Sequence, residues 1–401
     1  MNLSKITYLQ TLIQKKQMIL YFLLYLISYF GLGSYFVSLS PYFIERFQEQ
    51  AKYLFFAGQV GYPIGYFFTG WLSDKTKKLR LWGWIFAALL VPSQYLLFLP
   101  SLDFEVVLFF SFLVRFLFAA LIQITQIATL ETLSYKGFSI SRAGGTFGFF
   151  LMQITMFLLE SFVFLPTNLQ TSQTSRGGQI GAWLHILTFV LILITLPENR
   201  KSNNPYYFKE VFYITFRYQY WIFFVLSFFY YFSYQMIDFY LGAYFYQLGG
   251  MKFVYGGWIL GVILEIPFFP LTQRLIYRYG LNFLFLISLF SGIIRFLLLL
   301  LHNTYYGGNW ILFSQLLHGI HFTGYMAGVI YFFHKKYPEE YNGTAFGLFM
   351  VASLSMGAIV GNFTYGFLLS HFDYSTLFLL SLLNHGLLFL IFLFNKQIDK
   401  E

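Results

Sequence analysis

The chain has 401 residues, of which 58% are hydrophobic, 24% are aromatic and 10% are charged, and its formal net charge is +9. Soluble domains carry about 25% charged residues, so this composition excludes an ordinary soluble protein and predicts an all-α membrane protein. Cysteine is absent, which excludes disulfides and thiolate metal ligands.

Three lysines, Lys5, Lys15 and Lys16, precede a first apolar stretch that is too long for the core of a signal peptide. We interpret the N-terminus as a retained cytoplasmic tail. From there hydropathy predicts twelve spans, each near the ~20 residues that cross the hydrocarbon. Their approximate ranges are 18–44, 51–73, 81–100, 104–131, 144–166, 179–196, 219–247, 253–273, 280–301, 309–333, 343–369 and 374–394.

The segments between these spans are alternately rich and poor in basic residues. If the N-terminus is cytoplasmic, nineteen Lys and Arg residues fall in inner segments and four in outer ones. This positive-inside bias predicts a multi-pass protein of the cytoplasmic or inner membrane with both termini in the cytoplasm. The basic surplus is thus a consequence of topology, and we expect no nucleic-acid partner.

A polar stretch from Pro197 to Arg217 is the longest interruption between spans. It predicts an N-terminal six-helix bundle in residues 1–197, a central cytoplasmic loop in 198–217 and a C-terminal six-helix bundle in 218–401. Each half has a basic loop after its second span, which weakly indicates a duplicated unit.

Pairs of glycines four residues apart recur in the predicted spans and indicate close helix contacts. Glycine is common in membrane helices, so one pair alone carries little weight. The pairs in spans 2, 5, 8 and 11 form a set, because those spans would join the halves of a two-bundle transporter. They are Gly61 and Gly65, Gly144 and Gly148, Gly257 and Gly261, and Gly357 and Gly361.

Residues 70–78 (GWLSDKTKK) lie between spans 2 and 3. They resemble the signature loop of the major facilitator superfamily, although Lys77 replaces that family's second glycine. The resemblance implies a cytoplasmic gating loop that latches the two halves, whereas the alternative is a charged loop that only obeys topology. The loop residues are Gly70, Asp74, Lys75 and Lys78.

Other segments are similar to the branch around the lactose permease and the phenylpropionate permease-like proteins, which includes nucleoside and sugar proton symporters. Residues 142–149 (RAGGTFGF) resemble the entry to span 5 of that branch. Residues 264–269 (LEIPFF), 291–295 (SGIIR) and 315–322 (QLLHGIHF) follow the same group. The resemblance implies the major facilitator fold, with twelve transmembrane helices in two bundles around a central cavity.

Four charged side chains, those of Arg115, Asp238, Glu265 and Arg295, are predicted to lie deep in the membrane. An unpaired charge at the bilayer centre costs roughly 2.5–3.5 kcal/mol, so these residues should face the bundle interior or a wet cavity. In one interpretation a Glu265–Arg295 bridge only joins consecutive helices. In the other, Glu265 exchanges protons, and alternating access couples proton movement to the solute.

Gln315, His318 and His321 share one face of span 10, and histidine titrates near neutrality. By resemblance His318 matches the span 10 histidine of the permease branch, His321 replaces its coupling glutamate and Gln315 replaces a lysine. Three alternatives follow: His321 substitutes for that glutamate, Glu265 or Asp238 carries the proton, or coupling is absent. One pair of histidines without cysteine does not indicate a metal site.

Span 4 holds Arg115 and Gln126, and Arg142 begins span 5. In the permease branch an acid near the position of Gln126 grips sugar together with the span 5 arginine, so lactose-like specificity is not expected here. The predicted residues of the substrate and proton pathway are Arg115, Gln126, Arg142, Asp238, Glu265, Arg295, Gln315, His318 and His321.

The sequence has no phosphate-binding glycine loop, no G-x-S-x-G elbow and no H-E-x-x-H helix. We therefore expect a secondary active transporter of a small organic solute rather than an enzyme, working as a proton symporter, without cofactor and as a monomer in lipid. A proton-coupled exporter of the same fold is the alternative. A membrane-embedded transferase and a non-transporting receptor are the rivals from other classes, and aromatic acids, sugars and nucleosides all remain open as solutes.

Overall fold

The computed structural model describes residues 3–133, 135–162, 173–200, 208–305 and 309–394. Every named element in these ranges is a helix, and the only isolated β-bridge within them pairs Lys78 with Asn199. The all-helical class that the composition predicts is therefore confirmed.

The chain divides into two compact units, one of Met1–Tyr42 with Ala57–Asn204 and the other of Phe43–Phe56 with Pro205–Glu401. The helices from the N-terminal half are α1 (Leu3–Phe47), α2 (Ala51–Thr76), α3 (Leu79–Leu97), α4 (Phe104–Thr132), α5 (Tyr135–Phe162) and α6 (Gln173–Thr195). Those that follow are α7 (Phe208–Arg217), α8 (Trp221–Gln235), α9 (Leu241–Ile263), α10 (Glu265–Tyr279), α11 (Leu281–Tyr305), α12 (Phe313–Lys336), α13 (Glu339–Phe349), α14 (Met356–Leu369) and α15 (Tyr374–Phe394).

Within the described residues, nine helical stretches are long and apolar enough to cross a membrane. Two of them, Gln14–Ser73 and Trp221–Tyr279, have 60 and 59 residues. The predicted span at 81–100 corresponds to α3, which is not among the nine, and residues 163–166 of the predicted fifth span lie outside the described residues. The prediction of a multi-pass membrane protein is thus confirmed, whereas the number of twelve spans remains a prediction.

Two interruptions shape the stretch from α8 to α10. Gly250 has φ 67°, a left-handed conformation that glycine adopts without steric cost, and it bends the chain between the predicted spans 7 and 8. The second interruption falls at Leu264, inside predicted span 8, and α10 begins at Glu265. Pro267 explains this break, because it has no N–H to donate to the carbonyl of Ile263. Glu265 therefore stands at the start of a new helix rather than in the middle of a continuous one.

The stretch predicted as the central loop, 198–217, includes the ten-residue helix α7. Val211 and Thr215 are four residues apart on one face of α7 and are buried, and the Thr215 hydroxyl lies 2.8 Å from the hydroxyl of Tyr337. This face anchors α7 to the second unit. Residues 201–207 of the predicted loop lie outside the described residues.

Three of the four predicted glycine pairs lie where the backbone of another helix approaches closely within a unit, whereas a Cβ on Gly257 or Gly261 of α9 would meet only side chains. A Cβ on Gly61 or Gly65 of α2 would overlap the backbone of α4, and one on Gly144 or Gly148 of α5 would overlap the backbone of α1. In the second unit Gly357 and Gly361 of α14 have the same relation to the backbone of α8. The close approach that the spacing predicts is therefore an internal feature of each unit.

Candidate functional site

The predicted deep charges of the second unit meet in a buried chain of side chains. The Arg295 Nη1 atom lies 2.8 Å from the Nδ1 atom of His318, and His318 Nε2 lies 3.3 Å from the Oε1 atom of Glu265. Arg295 Nη2 also donates to the Oε1 atom of Gln315. Arg295, His318 and Gln315 are at most 3% exposed and Glu265 is 8% exposed. Three helices, α10, α11 and α12, thus place opposite charges on the two sides of one imidazole.

The direction of these hydrogen bonds follows from the donor inventory. Arginine only donates, so His318 Nδ1 accepts from Arg295, and in the neutral imidazole the proton is on Nε2. Nε2 then donates to the carboxylate of Glu265. His318 therefore holds the guanidinium and the carboxylate in a fixed relation without carrying a charge of its own.

Aromatic rings and a second acid surround this chain. The Tyr234 hydroxyl lies 3.4 Å from the His318 ring nitrogens, and the Trp258 ring stands edge-on to His318 at 5.6 Å. Asp238 interacts electrostatically with Arg295 from the π-helical turn Met236–Tyr240, which follows α8. Such turns are often found at functional sites. Trp258 was missed in the sequence because an aromatic residue in an apolar span is indistinguishable from core.

His321 has a different neighbour from the one its spacing suggests. Its Nε2 atom lies 2.9 Å from Nε2 of His385 on α15, and both residues are fully buried. Gln315 and His318 meet at Arg295, as expected of residues on one helix face, whereas His321 pairs across to α15. His385 was missed because a single histidine in an apolar span carries no pairing signal in the sequence.

Two of the candidate residues in the first unit, Arg115 and Arg142, contact the faces of tyrosine rings. The Arg115 guanidinium lies 4.9 Å from the ring centre of Tyr62, and that of Arg142 lies 4.3 Å from the ring centre of Tyr29. These are cation–π distances. Gln126, on α4, is half-buried. Arg115, Arg142 and Gln126 all lie in the first unit.

The predicted gating loop is partly helical, because α2 continues through Gly70 and Lys75 to Thr76. The chain turns at Lys77, which has φ 60° and whose N–H donates to the carbonyl of Ser73 over 3.0 Å. Lys77 therefore adopts a left-handed conformation, which glycine adopts more readily than lysine. The side chain of Asp74 lies outside the described residues.

The turn after α2 is hydrogen-bonded to the segment that follows α6. Arg200 N–H donates to the Lys77 carbonyl over 2.7 Å, and the Nε atom of Arg200 lies 2.8 Å from Oε1 of Glu131 on α4. Lys78 pairs with Asn199 through an antiparallel bridge. These contacts lie inside the first unit and stabilise the turn.

Changing Lys77 to glycine should stabilise the protein by about 0.5–1 kcal/mol, because the strain of a left-handed lysine is relieved. Thermal unfolding in detergent micelles measures this difference. The matched control is Lys75→Gly, two residues earlier, which should destabilise by about 1 kcal/mol because Lys75 is helical. A loss of stability in both variants would contradict the account of the turn.

These features define a polytopic helical membrane protein that keeps ionisable side chains inside its apolar helices. A sequence model of the MFS_1 like family matches residues 62–380. The chain belongs to this family, which confirms the predicted membership of the major facilitator superfamily. No curated protein matches the chain.

Solved structures confirm the fold. The crystal structure of the nucleoside transporter NupG has a TM-score of 0.78 with 16% identity, covering 96% of this chain and 100% of that one. A D-xylose-proton symporter has a TM-score of 0.75 with 15% identity, covering 95% of this chain and 99% of that one. The POT family transporter PepTSo has a TM-score of 0.71 with 10% identity, covering 94% of this chain and 97% of that one. The family and these structures are those of transporters rather than enzymes, as the sequence predicts.

Proposed function

We propose that the chain is a secondary active transporter that moves a small organic solute across the cytoplasmic membrane by alternating access, as a proton symporter. The observation that carries this proposal is the buried Arg295–His318–Glu265 chain. Desolvated charges are costly, so a membrane protein retains them where they serve a substrate or ion pathway. The Glu265 carboxylate is the most exposed of the three, and we assign it the exchange of protons with water.

The lengths of two apolar stretches support twelve spans, an even number that would place both termini on the same side of the membrane. A straight 60-residue helix would be about 90 Å long, three times the ~30 Å of hydrocarbon. Gln14–Ser73 and Trp221–Tyr279 therefore each make two crossings, with turns at Gln48, which has φ 48°, and at Gly250. With α3 as a further span, the nine stretches become twelve.

The chemistry around His318 favours a polar solute that contains a ring. Arg295 and Gln315 offer hydrogen-bond donors, while Trp258 and Tyr234 offer aromatic surface, a combination typical of small-molecule sites. The similar solved structures are named as transporters of nucleosides, D-xylose and peptides. We place nucleosides and sugars first among the candidates, ahead of aromatic acids.

Uptake into proteoliposomes with an acidic exterior tests the proposal. The probes are radiolabelled uridine, xylose and benzoate, and we expect the wild type to accumulate at least one of them. Glu265→Gln should lose the accumulation driven by the pH gradient yet keep counterflow, because the amide fills the same space but cannot exchange a proton. The control is Glu210→Gln, at an exposed position of α7, which should behave as the wild type.

If Glu265→Gln kept its full dependence on the pH gradient, the proton role of Glu265 would be wrong. Export instead of symport would appear as accumulation only when the interior is acidic. A membrane-embedded transferase or a receptor would show no counterflow with any solute.

A further inference from the structure

The helix α7 carries two exposed aromatic side chains beside the face that packs on the second unit. At about 100° per residue, Phe212 and Phe216 lie on one flank of α7, next to the buried Val211 and Thr215. Phe212 is 47% exposed and Phe216 is 55% exposed, and their ring centres are 4.9 Å apart. The two rings form one continuous apolar patch, which we call the phenylalanine flank.

The charged side chains of α7 occupy the rest of its exposed surface. Lys209 borders the phenylalanine flank, whereas Glu210 and Arg217 lie on the opposite side of the helix. Tyr213 lies between these two positions, and its hydroxyl accepts a hydrogen bond from Nη1 of Arg217 over 3.2 Å. The helix α7 thus has one side packed on protein, one apolar side and one charged side. An apolar side next to a charged one is typical of helices that lie in the plane of a membrane surface.

The position of α7 along the chain keeps it close to the membrane surface. Its 10 residues make a helix about 15 Å long, half of the ~30 Å of hydrocarbon, so α7 is too short to cross. The next apolar stretch that can cross a membrane begins at Trp221, and between Arg217 and Trp221 the chain turns at Gln219, which has φ 59°. These few residues reach about 14 Å at most. Lipid is therefore the apolar environment within reach of the phenylalanine flank.

We propose that α7 is an interfacial helix, whose phenylalanine flank inserts between the lipids of one leaflet while Lys209 binds the phosphate of an anionic headgroup. Insertion removes two aromatic rings from water, and a lysine near an anionic surface is attracted to it. The Thr215 hydroxyl lies 2.8 Å from that of Tyr337, so the lipid contact also anchors the end of α12, the helix that carries His318. By the proposed topology the leaflet is the cytoplasmic one, but insertion is measured without solute or transport.

Spin labels on single introduced cysteines test the insertion in the full-length protein in lipid nanodiscs, because the sequence has no other cysteine. Labels at Phe212→Cys and Phe216→Cys should collide more often with oxygen, which concentrates in lipid, than with a water-soluble nickel complex. Labels at Glu210→Cys and Arg217→Cys are the controls and should show the opposite preference. The proposal is overturned if all four labels prefer nickel. It is also overturned if the labels at positions 212 and 216 are shielded from both reagents, as they would be against a protein partner or a second copy of this chain.

Cross-linking to lipid tests the role of Lys209. The photoreactive amino acid benzoylphenylalanine takes the place of Phe216, in nanodiscs with equal amounts of phosphatidylglycerol and phosphatidylcholine, and mass spectrometry measures the two lipid adducts. We expect about a fivefold excess of phosphatidylglycerol adducts, the factor that one lysine contributes near an anionic surface. Lys209→Gln should bring the two adducts close to equality, whereas Lys252→Gln, at an exposed lysine of α9, is the control and should keep the excess. Equal adducts with Lys209 in place, or an excess that survives Lys209→Gln, would overturn the headgroup contact.

Discussion

Replacing Arg295 by glutamine is expected to abolish solute accumulation and to destabilise the protein by about 3–5 kcal/mol. Arg295 is 1% exposed and donates to both His318 and Gln315, and it is the positive partner of Asp238 and Glu265. Without it the buried Glu265 and the half-buried Asp238 lose a nearby positive charge. Uptake into proteoliposomes and thermal unfolding in detergent measure the two effects.

Three further variants show whether the charge or the shape of Arg295 is responsible for the expected losses of transport and stability. Arg278→Gln, at an exposed position of α10, should leave both measurements unchanged. Arg295→Lys should keep stability better than glutamine but still lose transport, because an ammonium lacks the planar fork that reaches His318 and Gln315 together. The double variant Arg295→Gln with Glu265→Gln should regain part of the lost stability. If the single and double variants were equally unstable, charge pairing would not explain the burial of Arg295.

Replacing Gly148 by alanine is expected to have the second largest effect, a loss of about 3 kcal/mol and a sharp fall in folded protein. The added Cβ would overlap the backbone of α1 at Leu26, and a backbone contact cannot be relieved by a change of rotamer. The fraction of monodisperse protein in size-exclusion chromatography and the unfolding temperature measure this loss.

Gly386→Ala is the matched control, since a Cβ at Gly386 of α15 meets no atom within 4 Å. The chemical change is the same, and alanine favours the helix by up to about 1 kcal/mol. We therefore expect unchanged or higher stability. Equal losses in the two variants would show that the close contact of α5 with α1 does not explain the glycine.

The helical class and most span positions are readable from the sequence because apolar length alone determines them. The breaks are harder to read. Pro267 interrupts the helix at Leu264, but a proline in a membrane span is often tolerated, so hydropathy gave one continuous span over 253–273. The turn at Gln48, by contrast, was readable, since it falls in the polar stretch 45–50 (ERFQEQ) between the predicted spans 1 and 2.

The candidate site was predictable where charge marks it. Arg295, Glu265 and His318 stand out in apolar spans, and their meeting follows from the cost of isolated charges. His385 and Trp258 could not be found, because their roles depend on contacts with His321 and His318 of α12, which are far away in sequence. The assignment of His321 to the same cavity as His318 was also beyond the spacing argument, since a helix face is wide enough to contact two different neighbours.

The most direct test asks whether position 265 is accessible to water. Because the sequence contains no cysteine, an introduced cysteine is the only thiol that a reagent can modify. In Glu265→Cys, a hydrophilic methanethiosulfonate reagent should modify the thiol in reconstituted protein, because the reaction needs a hydrated thiolate. Phe290→Cys, at an exposed apolar position of α11, should stay unmodified in the lipid. An inert Glu265→Cys that reacts only after denaturation would contradict the claim that the buried charges line a water-accessible pathway.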